Sequence, residues 1–289
     1  MERVREFIMA LLLMAGTATI CPAQYSGSPK DAGDDPYETK DHLVAGLNYL
    51  SNNVYLGRKD TLVIPYYSPF LGYHFKSGFY VKGMMAYTTA GNLGGHIDLT
   101  TLEAGYDHSF GEHFNVGVNA EKFFYNKNSI SVRANTTAGI GLDAQYSNDF
   151  VEPQAIFNVD FNKNSQDYVL GLAADHDFGL DDGKLHLIPT ASANAGTQNY
   201  FDEYFVNRLT KKDKNNKVKH VVQNPSKINI LDYEFNVKTT YRTGHWLFTF
   251  IPTYALPESP ASILLPGKKL QSEHLSNGFY VELDICYRG

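Results

Sequence analysis

From His42 to the C-terminus the chain repeats one pattern, in which runs of about ten residues alternate apolar and polar side chains between turn formers. The clearest run is Leu231 to Arg242. Leu231, Tyr233, Phe235, Val237, Thr239 and Tyr241 fall on one side, and Asp232, Glu234, Asn236, Lys238, Thr240 and Arg242 on the other. The last run sets Phe279, Val281, Leu283, Ile285 and Tyr287 against Tyr280, Glu282, Asp284 and Arg288. Residues 150–161 and 99–110 do the same. Successive side chains of a strand point to opposite faces, so each run is a ribbon with one oily and one charged surface. The pattern predicts strands near 42–56, 62–75, 79–88, 97–110, 114–125, 131–147, 150–161, 166–178, 184–199, 227–243, 246–257 and 277–288, twelve in all.

The connections alternate too. Tight turns at Lys76-Ser77-Gly78, Gly111-Glu112-His113, Asn148-Asp149, Gly179 to Gly183 and Gly244-His245 interleave with longer stretches, of which 201–227 and 258–274 are the longest. Hydrocarbon offers the backbone no hydrogen-bond partner, so only helices or a closed sheet can cross it. Short turns at one end and long loops at the other are the habit of a sheet that does so. An even strand count places both termini on the short-turn side. The expected fold is therefore all-β, an up-and-down antiparallel transmembrane barrel of about twelve strands. Aromatics near strand ends (Tyr66, Tyr67, Phe70, Tyr73, Phe79 and Tyr80; Phe123, Phe124 and Tyr125; Trp246 and Phe248) are expected to form the interfacial girdles. The competing architecture is a secreted soluble sandwich or lipocalin-like barrel, whose outside should be rich in Lys, Glu and Ser. Here charged residues are only 19% of the chain, and the polar face mixes acids with glycines.

The N-terminus supports export. Arg3 and Arg5 precede a short apolar stretch from Phe7 to Gly16 and small residues ending at Ala23-Gln24, a signal peptide expected over 1–23. A lipoprotein reading would use Cys21, but Ile20 before it makes a poor lipobox. Removal of the signal leaves Cys286 without a disulfide partner. Residues 24–41 are polar and aperiodic and read as a flexible periplasmic lead-in, with the barrel over 42–289. The net charge of −6 argues against nucleic acid, which calls for a basic footprint.

The signal ending, the ten-residue strands and a chain that stops on a strand resemble outer-membrane β-barrel proteins of the Bacteroidetes type. Ser51-Asn52-Asn53-Val54-Tyr55-Leu56-Gly57 is similar to the Ser-Asn-x-x-aromatic-x-Gly pattern of one uncharacterised family among them. The resemblance implies an outer-membrane location, insertion by the barrel assembly machinery, and contact with outer-membrane lipid and lipopolysaccharide. The terminal aromatic common in such proteins stands early here, at Tyr287 of Cys286-Tyr287-Arg288-Gly289.

Parity assigns Glu103, Asp107, Glu121, Asp143, Asp160, Asp175, Asp177, Asp232, Glu234, Glu282 and Asp284 to the interior, against Lys82, Lys238, Arg242 and Arg288. Such a lining favours small cationic solutes in an open pore; in a narrow, plugged barrel the same charges would pair with each other. His274-Leu275-Ser276-Asn277-Gly278 resembles the His-x-Ser-Asn-Gly segment of outer-membrane phospholipase, which implies His274 as base and Ser276 as nucleophile. If the strand already runs straight there, the parity of Phe279, Val281 and Leu283 turns both inward, away from lipid, and no orienting Asn stands at a matching offset. Lys211, Lys212, Lys214, Lys217 and Lys219 could meet lipopolysaccharide phosphates, fold against the acidic interior or be solvated. The histidines show no metal-ligand spacing, and no phosphate-binding loop or cofactor motif is present. Function is expected to be a passive pore or structural barrel, without catalysis. The alternatives are a lipid hydrolase using Ser276 and His274, and adhesion through the long loops.

Overall fold

The structure, a computed structural model, describes residues 40–59, 62–90, 94–212, 221–264 and 269–289. The expected signal peptide and all but the last two residues of the lead-in lie outside them. Twelve long strands follow one another: β1 His42–Leu50, β2 Tyr66–His74, β3 Phe79–Thr88, β4 His96–Phe110, β5 Phe114–Tyr125, β6 Thr136–Tyr146, β7 Glu152–Asn162, β8 Gln166–Asp175, β9 Leu185–Gly196, β10 Asn229–Thr243, β11 Trp246–Pro257 and β12 Gly278–Arg288. Each pairs antiparallel with its neighbours in sequence, and β1 pairs with β12 from Val44↔Arg288 to Leu50↔Glu282. That last seam closes the barrel. A short strand, Phe178–Leu180, extends the β8–β9 turn by pairing with the start of β9. No helix of the described residues is long and apolar enough to cross a membrane.

The division of faces is opposite to that of a soluble protein. Along β8, Asp167, Val169, Gly171, Ala173 and Asp175 are buried, whereas Tyr168, Leu170 and Leu172 are 39%, 42% and 48% exposed. Leu47, Leu71, Leu102, Leu142, Phe235, Phe250 and Leu283 are likewise exposed on the other strands. Hydrocarbon is the solvent such a surface fits. Trp246 against Tyr287, Phe79 against Tyr106 and Phe110 against Phe114 place ring pairs at the short-turn end. Tyr49 against Tyr67 does so at the loop end.

Several expectations need correction. Tyr66, Tyr80 and Phe123, assigned to the girdles, are only 6%, 8% and 5% exposed and point inward. Leu231, assigned to the lipid face, is fully buried like its neighbour Asp232. A bulge between Asn194 and Ala195 shifts the β9–β10 register there, which breaks the strict alternation that parity assumes. β1 stops at Leu50, β2 begins at Tyr66 and β6 at Thr136, because the chain leaves the sheet early to fold inward. The stretch expected as a loop from 201 contains α1, Asn199–Lys212.

Glycines fit the wall to its contents. A Cβ on Gly46 of β1 would stand 2.3 Å from the Ile285 carbonyl oxygen and 2.5 Å from the Phe70 ring; one on Gly105 would stand 2.4 Å from the Tyr80 ring. These rings therefore lie against bare backbone instead of projecting into the lumen. The backbone carbonyl at Gly46 cannot swing away as a side chain would. Gly46→Ala should lower barrel stability by about 1–3 kcal/mol, read as an earlier urea midpoint of protein refolded in micelles; an unchanged midpoint would contradict this packing.

Candidate functional site

The loop after β1 sets up the site. Val54 pairs with Lys59 and Tyr55 with Arg58, across a two-residue turn in which Leu56 and Gly57 have φ of 49° and 71°. Two positive φ values in succession make a type I′ hairpin. Leu56 is a costly residue there, and it is wholly buried. A Cβ on Gly57 would be 2.7 Å from Pro257, so this corner accepts only glycine. The Ser51–Gly57 motif is thus a hairpin driven into the barrel mouth.

Two buried arginines anchor it. Arg58, 2% exposed, forms an ion pair with Glu273 at 3.2 Å, donates to Gln198 Oε1 and the Ser259 carbonyl, and lies 4.8 Å over the Phe201 ring. Arg133 donates to both Asp160 carboxylate oxygens at 3.2 Å and lies over the Tyr55 and Phe123 rings. The Tyr55 hydroxyl donates to the same Asp160 at 2.5 Å. Burial, followed by the Asp160 charge, pushes the Tyr55 hydroxyl well above the ordinary tyrosine range and keeps it a donor.

Helix α1 closes over this pair. Asp167 at the start of β8 accepts hydrogen bonds from the backbone N–H groups of Asn199 and Tyr200, each at 2.7 Å. A carboxylate there satisfies N–H groups that a first helical turn leaves orphaned. Asp202 accepts from Val221 and Val222 and ties the segment after the helix back onto it. Tyr200, Phe201 and Tyr204 pack into an apolar cluster with Val54, Tyr55, Leu56, Ile64, Val132, Val222 and Ala261. The same cluster includes Leu50, Tyr66, Ala86, Leu99, Phe123, Val169, Leu231, Ala255 and Tyr280, one residue from each of nine strands. A plug made of inward-folded loops fills the loop-bearing end.

Beneath it lies a cavity of about 190 Å³. Of the residues expected to line the interior, Glu103, Glu121, Asp143, Glu234, Lys238 and Glu282 border this cavity, with Lys82. Glu103 pairs with Lys82 at 3.2 Å and accepts from Tyr80; Glu282 accepts from Asn48 and Glu234 from Tyr280. Asp160 and Asp232 sit higher, in and beside the plug, where Asn194 donates to Asp232 at 2.7 Å. Asp175 accepts from Gln154, and Asp177 meets His186 at 2.9 Å. Asp107, Asp284, Arg242 and Arg288 are half-buried, nearer the short-turn end. The lysine-rich stretch from 211 lies outside the described side chains. His274 and Ser276 are both exposed just before β12, and no hydrogen bond joins them among the described residues; Asn277 donates instead to the Tyr254 hydroxyl. The inward orientation expected for this pair from strand parity fails because β12 begins only at Gly278.

Tyr55, Arg58, Arg133, Asp167 and Asp202 escaped the parity reading, since they lie in loops, at a strand end or, for Asp202, in α1. The glycine-ended Ser51–Gly57 motif was the signal for one of them, Tyr55, and it stops one residue before Arg58.

No family model and no curated protein matches the chain. Among solved structures, an outer-membrane channel from Pseudomonas putida F1 is similar with a TM-score of 0.50 at 10% identity, over 93% of this chain and 100% of that one. The KdgM porin aligns at TM-score 0.48 and 9% identity over 84% and 98%. LpxR from Salmonella typhimurium aligns at 0.42 and 10% over 86% and 99%. At such identities the channel's likeness speaks for the fold alone, and that fold is an outer-membrane β-barrel.

Removing Arg58 leaves the partly buried Glu273 without its ion pair, a loss of about 1–3 kcal/mol. Arg58→Ala should therefore release α1 from the mouth while the strands stay paired. Limited trypsin treatment of the folded protein should then cut within 199–220 at least tenfold faster, whereas an unchanged rate would remove Arg58 as the anchor.

Proposed function

We propose that the chain is a passive, cation-favouring pore of the outer membrane that rests with its outer mouth stopped by its own loops. One observation supports this above the others: the cavity under the plug is bordered by five carboxylates (Glu103, Glu121, Asp143, Glu234 and Glu282) and three cations (Lys82, Arg133 and Lys238). Confined charge of one sign excludes like-charged solutes and concentrates opposite ones. A barrel serving only as a scaffold has no need to hold an unbalanced set of buried charges, each of which costs desolvation. The partners proposed with this reading are outer-membrane lipid, lipopolysaccharide, the barrel assembly machinery and small cationic solutes. Kinship with Bacteroidetes-type barrels of Gram-negative cells is proposed on the Ser51–Gly57 motif.

Planar-bilayer recording tests the pore. The wild-type protein should be mostly silent, and Arg58→Ala should give stepwise conductance whose reversal potential in a salt gradient favours cations. Glu282→Gln together with Glu234→Gln should reduce that preference severalfold. Silence of both proteins at every voltage would leave a structural barrel.

Phospholipid vesicles separate the pore from a hydrolase. No fatty acid should be released above buffer, and Ser276→Ala should change nothing. Release that vanishes in that variant would establish the enzyme instead.

A further inference from the structure

The cavity is layered. Lys82 on β3, Glu103 on β4 and Glu121 on β5 stand directly opposite one another as one cross-strand row. One step towards the plug, the row is Met84, Thr101 and Phe123; the next is Ala86, Leu99 and Tyr125. A charged floor thus lies under an apolar, partly aromatic roof.

Glu121 is the anomaly in that floor. It is 7% exposed, borders the cavity, and makes no hydrogen bond or ion pair among the described residues. Its cross-strand neighbour on one side is Glu103, a like charge; on the other it is Gly139, which has no side chain to offer. Directly opposed like charges repel, and a buried carboxylate without a partner is expensive. The cations nearest by charge are already committed, Lys82 to Glu103 and Arg133 to Asp160, both at 3.2 Å. In the row above, Thr101 Oγ1 is also buried without a partner. The missing group is a cation carrying hydrogen-bond donors.

A chelated metal ion fits poorly, because no three His, Cys, Asp or Glu side chains of the described residues come together to hold one. An ammonium fits, since one carboxylate and one hydroxyl satisfy it while the rest of the molecule meets Phe123, Met84 and Leu99. A dry cavity of about 150 Å³ accepts one benzene ring, so about 190 Å³ accepts a ring bearing a short amine arm.

We infer that the space between Glu121 and Phe123 is a binding site for a small organic ammonium carried on an aromatic or compact alkyl body. The inference rests on the cation-favouring pore reading and names the solute class that pore would hold. The ammonium sits on Glu121, and the apolar body lies under the roof formed by the plug.

Calorimetric titration of the full-length, folded protein in neutral detergent tests it, with 2-phenylethylammonium as probe and phenylacetate and methylammonium as comparators. Saturable binding of the probe is expected, with each comparator weaker by at least about tenfold. Glu121→Gln, checked for its folded mobility on unheated gels, should weaken the probe by at least about tenfold, and Phe123→Leu should weaken it less. Equal binding of phenylacetate, no binding of the probe, or an unchanged affinity in Glu121→Gln would overturn the site. Cation conductance without probe binding would sink this inference and leave the pore standing; binding without conductance would do the reverse.

Discussion

Everything in this molecule depends on one requirement, that the backbone of a lipid-immersed sheet must find all its partners in itself. β1 meets β12 over seven consecutive residue pairs, and with that seam no edge remains. Once the ribbon closes, one face of each strand has no choice but lipid and the other no choice but an enclosed interior. The oily outside of β8 and the charge on its inner face are consequences of the same closure.

Closure also creates the problem that the loops solve. A ring of twelve strands leaves an interior wider than its own side chains fill. The glycines at 46 and 105 widen it further by letting Phe70 and Tyr80 lie flat on the wall. The outer end is filled instead by the hairpin at Tyr55–Arg58, by α1 and by the segments near Val132 and Ala261. Its charges are placed so that each buried arginine answers a carboxylate from elsewhere, Arg58 to Glu273 and Arg133 to Asp160. Those pairs link loops to loops and loops to strands, so the plug is as much a polar assembly as an apolar one. Below it the matching is incomplete among the described residues, and Glu121 is the most buried carboxylate left out of it.

The strands were legible in the sequence because a period of two survives without any knowledge of partners. Nine of the twelve strands lie within three residues of their expected bounds, from Phe79–Thr88 to Gly278–Arg288, and the other three, β1, β2 and β6, are shorter at the loop end. β6 begins at Thr136, later than its alternation suggested, because residues up to Asn135 turn into the plug. Interior acids such as Glu103 and Glu282 were legible for the same reason. Leu231 was not, since it is the extra residue of a bulge in β10, skipped between the pairs Asn194↔Asp232 and Ala195↔Ile230, and so turns to the other face. Tyr66 and Phe123 were not, since an aromatic at a strand end can serve a girdle or a plug, and only a partner from a distant loop decides which.

The sequence by itself determined the alternation, and through it the strand number, the closed antiparallel sheet and the side of each strand that meets lipid. These follow from local periodicity combined with the chemistry of the bilayer. Tertiary structure alone decided that the mouth is filled, that Asp160 answers Arg133 and Tyr55 together, and that Glu121 is left unmatched beneath an aromatic roof. Those facts depend on side chains tens to hundreds of residues apart being brought to the same level of the barrel, and no local pattern carries that distance.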